Sequence, residues 1–322
     1  MKRYMLRAAT ALAIISMTIQ PAWSAATACF RGINISGAEF GPLDGKVDKD
    51  YTWPSIKTLD YFAGKGFNTV RLPFRWDRLQ PQLMGEFDEA ELSRLMETVE
   101  LIRARGMTTI LDPHNYARYK DQVVGSDAVP KEAFADFWAR LATLYASDDQ
   151  VVLGLMNEPN TMPVTQWVDA ANAATKAIRE AGARNLVLVP GTAWTGAHSW
   201  LKSVDGDPNG VALKDFRDPG GNFAFEVHQY FDDDFSGTKG NCSRANDAVL
   251  AVENFTAWLK SNGHRGMLGE FGVPKGEACV AALKAMVDVV ERNKDVWTGW
   301  TYWVAGDWWS PDEPLNVQPT ED

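Results

Sequence analysis

Two glutamates stand where apolar runs stop. In VVLGLMNEPN (151–160) an apolar stretch leads into Asn157, Glu158 and Pro159, and in RGMLGEFG (265–272) a similar run delivers Glu270. Such runs read as strands covered on both faces. A carboxylate at the rim of a buried strand is costly unless solvent, partners or chemistry compensates for it. Two carboxylates on one rim are the equipment for cleaving a glycosidic bond. One acts as general acid, so its pKa must be raised. The other attacks the anomeric carbon, must be ionised, and needs cationic or hydrogen-bonding support. Arg71 in NTVRLPF and the Tyr230 hydroxyl in FAFEVHQY are the groups that can support Glu270 in this way.

Other polar residues collect at the same kind of position. The chain has only four His, and His114 and His228 both close apolar runs. Trp303 lies in the last run, and Trp194 follows a run that ends at GTAW. Side chains on a strand alternate between faces, so His228 and Tyr230 share one face, with Glu226 one step deeper. By the same rule Asn157 and Glu158 reach one pocket together only if the chain bends there, and Pro159 fits a bend. Glu226 reads as a buried structural acid paired with Arg31 or Arg75, and Asp112 as structural too. His198 and His264 read as solvated loop residues.

These residues need elements to hold them. Eight short apolar runs are strand candidates: 29–36, 68–74, 108–114, 151–159, 185–191, 223–230, 265–272 and 297–305. Amphipathic segments such as 88–106 and 130–146 lie between most of them. The first opens on acidic residues and stops at Arg105-Gly106, as helix-start and helix-stop signals require. The connection at 192–222 is rich in Gly, Asp and Pro, so its helix is expected to be short or displaced. Strands alternating with helices predict a single-domain α/β (β/α)8 TIM barrel, whose site forms at the C-terminal strand ends. A doubly wound open sheet is the runner-up, but no phosphate-binding glycine motif follows an early strand.

The chain has 322 residues, and 32 basic against 42 acidic residues give a net charge of −10. That balance argues against nucleic acid and anionic membrane surfaces as partners, and suits neutral substrates. The N-terminus has a basic start, a short apolar core and small residues near Ala25, the pattern of a secretory signal peptide over 1–25. Residues 26–322 are then the catalytic domain of an exported, soluble monomer, extracellular or periplasmic. In an oxidising compartment cysteines pair. Cys242 and Cys279 lie in polar surroundings and are expected to form a disulfide, leaving Cys29 as a buried thiol. No CxxC or HxxxH spacing supports a metal site.

With these residues in place, the sequence resembles glycoside hydrolase family 5 of clan A. It is most similar to the endo-β-1,4-glucanases of the subfamily that holds fungal endoglucanases. The resemblance spans the mature chain and rests on GINISGAEFG (32–41), NTVRLPFRWDRLQP (68–81), LDPHNYARY (111–119), GLMNEPN (154–160), FEVHQYFDDDFSG (225–237), GEFG (269–272) and the WTYWVAGDWW ending. It implies Glu158 as acid/base, Glu270 as nucleophile and Asn157 on the substrate 2-hydroxyl. Arg71 and Tyr230 would contact the nucleophile. His114 and His228 would line the central subsite on a floor of Trp303, followed by a cis peptide bond. It implies retention of configuration, no cofactor and no metal, and a β-1,4-glucan as the bound partner. No cellulose-binding module is attached, which favours soluble or amorphous glucan.

The alternatives are activity on mixed-linkage β-glucan, xyloglucan or mannan, and a catalytically silent glucan-binding barrel. Of the 13 Trp, Trp138, Trp167, Trp258 and Trp297 are assigned to the core. Trp194 is favoured as a sugar platform, with Trp308, Tyr116 and Phe40 as further candidates.

Overall fold

The computed structural model describes residues 29–204 and 206–320. The expected signal segment at 1–25 lies outside the described residues.

Eight strands form inside the eight apolar runs: β1 Phe30–Ile35, β2 Thr69–Phe74, β3 Thr108–Pro113, β4 Val151–Gly154, β5 Val187–Pro190, β6 Phe223–His228, β7 Gly266–Glu270 and β8 Trp297–Ala305. They close into one barrel in sequence order, all parallel, with β8 returning to β1. This is the (β/α)8 architecture. A two-strand hairpin, Arg118–Tyr119 with Gln122–Val123, is added after β3.

Helices Ile56–Gly64, Glu89–Arg103, Lys131–Leu144, Val164–Glu180, Ala245–Asn262 and Glu277–Arg292 form the outer layer. The Asp88 carboxylate caps the second of these by accepting from the Ala90 and Glu91 N–H groups. Gly263, at φ 67°, ends the fifth in the left-handed conformation that glycine adopts freely. Between β5 and β6, among the described residues, only two short 3-10 turns and the four-residue helix Asn209–Ala212 occur. The helix expected there to be short or displaced is short.

Strand alternation sorts the core. One apolar residue from each of five strands, Ile110, Val152, Leu188, Ala224 and Met267, plugs the inside of the barrel. Their neighbours Leu111, Leu153, Val187, Phe225 and Leu268 face outward into the helix layer. Two helix tryptophans tie that layer to the strand ends. Trp138 donates its indole N–H to Leu155 O at 3.1 Å, and Trp167 to Pro190 O at 2.7 Å. Truncating either to Ala would cost about 3–5 kcal/mol by loss of buried volume alone.

Three expectations about packing need correction. His264 is not solvated. It is 7% exposed, sits among Phe223, Phe225 and Trp258, and its Nε2 meets Lys214 O at 2.8 Å. His198 is half-buried and stacks on Phe235 at 4.4 Å. Cys29 is half-buried rather than buried, because it lies just before β1, beside Glu291. Cys242 and Cys279 are joined in a disulfide with Cα atoms 5.7 Å apart.

Candidate active site

Above the apolar plug the barrel interior turns polar, and Arg71 on β2 is its hub. The side chain is 1% exposed. One terminal nitrogen, Nη1, donates to Glu270 Oε1 at 2.7 Å and to Asn34 Oδ1 at 3.0 Å, and lies 3.0 Å from Asp112 Oδ2. The other, Nη2, donates to Asn157 Oδ1 at 2.9 Å. Its Nε faces Glu226 Oε1 at 2.9 Å. Glu226 is thus paired with Arg71, and not with Arg31 or Arg75. Arg31 faces outward and binds Glu291, while Arg75 binds Asp77.

Backbone irregularities aim both key carboxylates. At the end of β4 the chain leaves the sheet after Gly154, and Glu158 takes φ 42°, a left-handed conformation rare for a side chain of its type. That is the bend the Asn157–Glu158 pair requires. On β7, Met267 points into the barrel, so strict alternation would send Glu270 outward. The pairing with β6 skips Gly269, matching Val227 with Leu268 and His228 with Glu270. This bulge turns Glu270 inward. Glycine is needed at the bulge because a Cβ there would collide with the Glu226 carboxylate.

The two carboxylates then meet across an open mouth. Carboxylate oxygens of Glu158 and Glu270 and a ring nitrogen of His228 all lie within 4.8 Å of one another. His228 Nδ1 contacts Glu158 Oε1 at 2.7 Å and lies 3.5 Å from Glu270 Oε2. The Tyr230 hydroxyl donates to Glu270 Oε2 at 2.7 Å. Burial and the charge of Glu270 push the Glu158 carboxyl up, outweighing the opposing His228. For Glu270 burial acts upward too, but His228, Arg71, His114 and the Tyr230 hydroxyl together hold it below the usual carboxylate range. Burial and the charges of Glu270 and Glu158 keep Tyr230 protonated, so it remains a donor. The pair is therefore split into one proton holder and one anion.

Among the described residues Glu158, His228 and Glu270 are also the one three-residue group whose donor atoms could converge on a cation. Their chemistry argues otherwise. Against the effect of burial, the charges of Glu270, Glu158 and Glu226 push His228 up to about 10, so a cation would have to displace the ring proton to bind there.

The remaining predicted residues gather on the same rim. His114 Nδ1 meets Asp112 Oδ2 at 2.7 Å and its Nε2 meets Asn157 Nδ2 at 3.0 Å, so Asn157 bridges Arg71 and His114. The Trp303 ring stacks on His114 at 5.6 Å and 19°, and the Trp303–Val304 peptide is cis. Tyr116 stands edge-on to His114 at 5.4 Å. Trp194 is 50% exposed, and its backbone N–H donates to Pro159 O at 3.1 Å, which places it beside the Glu158 turn. His114, Tyr116 and Trp303 continue into a cavity of about 450 Å³ with Glu39, Phe40 and Trp309.

Sequence reasoning passed over three of these neighbours. Asn34 was a visible signal, a lone amide inside an apolar strand. Glu39 is held by the Gly37 N–H at 2.7 Å, a local contact without a sequence signature. Of the adjacent Trp308 and Trp309, the chain places Trp309 against Trp303 and Phe40.

A two-glutamate rim with an arginine, tyrosine and histidine cradle on a (β/α)8 barrel matches what comparison finds. The model of the cellulase family, glycosyl hydrolase family 5, matches residues 30–306. The chain belongs to glycosyl hydrolase family 5. It is 36% identical over 295 residues to endo-β-1,4-glucanase B of Emericella nidulans, covering 91% of this chain and 87% of that one. Among solved structures it is similar to XacCel5A in complex with cellopentaose, with 47% identity, TM-score 0.89 and coverage of 92% and 95%. An endo-β-1,4-glucanase from Xanthomonas axonopodis pv. citri matches at 46% identity, TM-score 0.88 and coverage of 90% and 93%. The family-5 match covers all eight strands and every residue of the rim described above except Trp309.

Proposed function

We propose that this family-5 chain is a retaining endo-β-1,4-glucanase acting within β-1,4-glucan chains. The observation that carries the mechanism is the separation of the carboxylates. Oxygens of Glu158 and Glu270 within 4.8 Å suit direct attack, because retaining enzymes keep the two groups about 5–5.5 Å apart while inverting ones leave room for a water. Glu270 Oε attacks the anomeric carbon as Glu158 protonates the departing glycosidic oxygen. Glu158 then takes a proton from water, which displaces Glu270 from the glycosyl-enzyme. Arg71 and Tyr230 hold the nucleophile, Asn157 is placed for the 2-hydroxyl, and Trp303, Tyr116 and Trp194 offer faces for glucose rings. His114 and His228 line the central subsite. Support for the substrate comes from the relatives named as endo-β-1,4-glucanases and from the cellopentaose bound in XacCel5A.

We place the enzyme outside the cytoplasm, as a monomer. The signal-type N-terminus and the disulfide support export, and no described helix is long and apolar enough to cross a membrane. The test is reducing-end release from carboxymethyl cellulose, with product analysis on a panel of soluble glucans, mannan and xylan. Glu270→Gln is expected to lose activity by at least about 10³-fold while still binding cello-oligosaccharide. Wild-type-like turnover in that variant, or a preference for mannan or xylan, would overturn the reading.

A further inference from the structure

Glu226 is an acidic group of the site that the double displacement leaves without a task. It is 1% exposed and sits one strand step below His228 on β6. Its Oε1 lies 2.9 Å from Arg71 Nε and 3.5 Å from His228 Nε2, on the edge of the ring opposite the one that meets Glu158. The neighbouring strand gives up a side chain to seat it, since a Cβ at Gly269 would occupy the carboxylate's place. Both cations that touch the reacting carboxylates are therefore held from beneath by this one group.

We propose that Glu226 is a positioning residue for the reaction. From below the site it holds His228 as an imidazolium and shares Arg71. In doing so it sets the pH interval in which Glu158 keeps its proton while Glu270 has lost its own. The inference rests on the roles proposed for Glu158 and Glu270.

The sign follows from the charges around it: Arg71 from β2 and His228 from β6 face Glu226 directly, Asp112 from β3, Glu158 after β4 and Glu270 from β7 surround those two cations, and His114 and Tyr230 act on Glu270. A buried negative charge raises the proton affinity of every group near it. Removing that charge lowers them all together as long as His228 remains an imidazolium across both limbs, since loss of its charge would act on the two carboxyls in the opposite direction. In Glu226→Gln, which keeps the shape, both limbs of the kcat/KM profile are expected to move to lower pH by about one unit. Glu226→Asp keeps the charge and is expected to bring both limbs back toward their wild-type positions. A purely structural Glu226 would change thermal stability and kcat and leave the limbs in place.

The deciding experiment pairs these profiles with NMR of the wild-type enzyme carrying isotope-labelled histidine. Its four histidines are assigned by single substitution. His228 is expected to remain an imidazolium beyond pH 8 in the wild type, and in Glu226→Gln to lose its proton at lower pH. A wild-type His228 that titrates near its ordinary value of about 6.5 overturns the proposal, as do unmoved limbs in a folded Glu226→Gln. Should that variant not fold, the wild-type titration decides alone. The NMR measurement needs no turnover, so it stands apart from the Glu270→Gln assay that tests the glucanase reading.

Discussion

Glu158 and Glu270 carry the same functional group, and everything that separates them is local. Glu158 itself takes a left-handed backbone, a conformation costing on the order of 1–3 kcal/mol, and its carboxyl meets one imidazolium. Glu270 is turned inward by a bulge and receives a guanidinium and a phenol. The proposed mechanism needs Glu270 ionised and Glu158 protonated. Because Glu270 is lowered and Glu158 raised, the acidic limb of kcat/KM should fall below the ordinary carboxylate range and the alkaline limb above it. Glu158→Gln cannot give a proton, so it should abolish the alkaline limb. It should slow cellotetraose hydrolysis about 10²–10⁴-fold, with a smaller loss for an aryl cellobioside whose leaving group needs no protonation. Equal losses on the two substrates would remove Glu158 from the acid role.

Elements act by fixing where such residues point, and one ion pair fixes a whole connection. Arg179, at the end of helix Val164–Glu180, donates to both oxygens of Asp218 at 2.8 and 2.7 Å and to the carbonyls of Ala183, Asn185 and Asn222. The pair anchors the irregular 191–222 connection just before β6. Removing one member leaves a buried charge, so Arg179→Ala should lower stability by about 3 kcal/mol in urea unfolding. Burial pushes the Asp218 carboxyl up, but Arg179 and the N–H groups of Gly220 and Asn222 prevail and hold it low. A depressed carboxyl stabilises fully above its unfolded pKa. That contribution should fade as pH falls through the lowered folded value, and in Asp218→Asn the fade should be missing. The elements themselves were legible in the sequence, because apolar runs and amphipathic segments obey fixed periods. The bulge at Gly269 was not, since period two alone sends Glu270 to the wrong face. Nor was the Arg71–Glu226 pair, because the partner of a buried acid is chosen by barrel closure, which brings β2 opposite β6, and not by distance along the chain.

At the scale of the whole molecule the outer wall is uneven. Helices cover the outside of most strands, but among the described residues none follows β8. Its outer face, between helices Ile56–Gly64 and Glu277–Arg292, forms a groove of about 530 Å³ lined by Phe62, Phe67, Phe271, Leu283, Trp300 and Tyr302. On its rim Tyr61, Val280 and Val317 are 38%, 52% and 42% exposed, and Lys65 and Lys275 are its charged lining groups. Apolar surface of this kind remains an attractive place for any amphiphile in water. A net charge of −10 opposes contact between copies at low salt, where the repulsion reaches furthest. The native protein should therefore bind the anionic dye ANS at neutral pH without unfolding. A double substitution, Val280→Asp with Val317→Asp, should remove most of that fluorescence and leave glucanase activity intact, since both side chains are exposed on the rim of this outer groove. Dye binding unchanged by the pair would locate the accessible apolar surface somewhere other than β8.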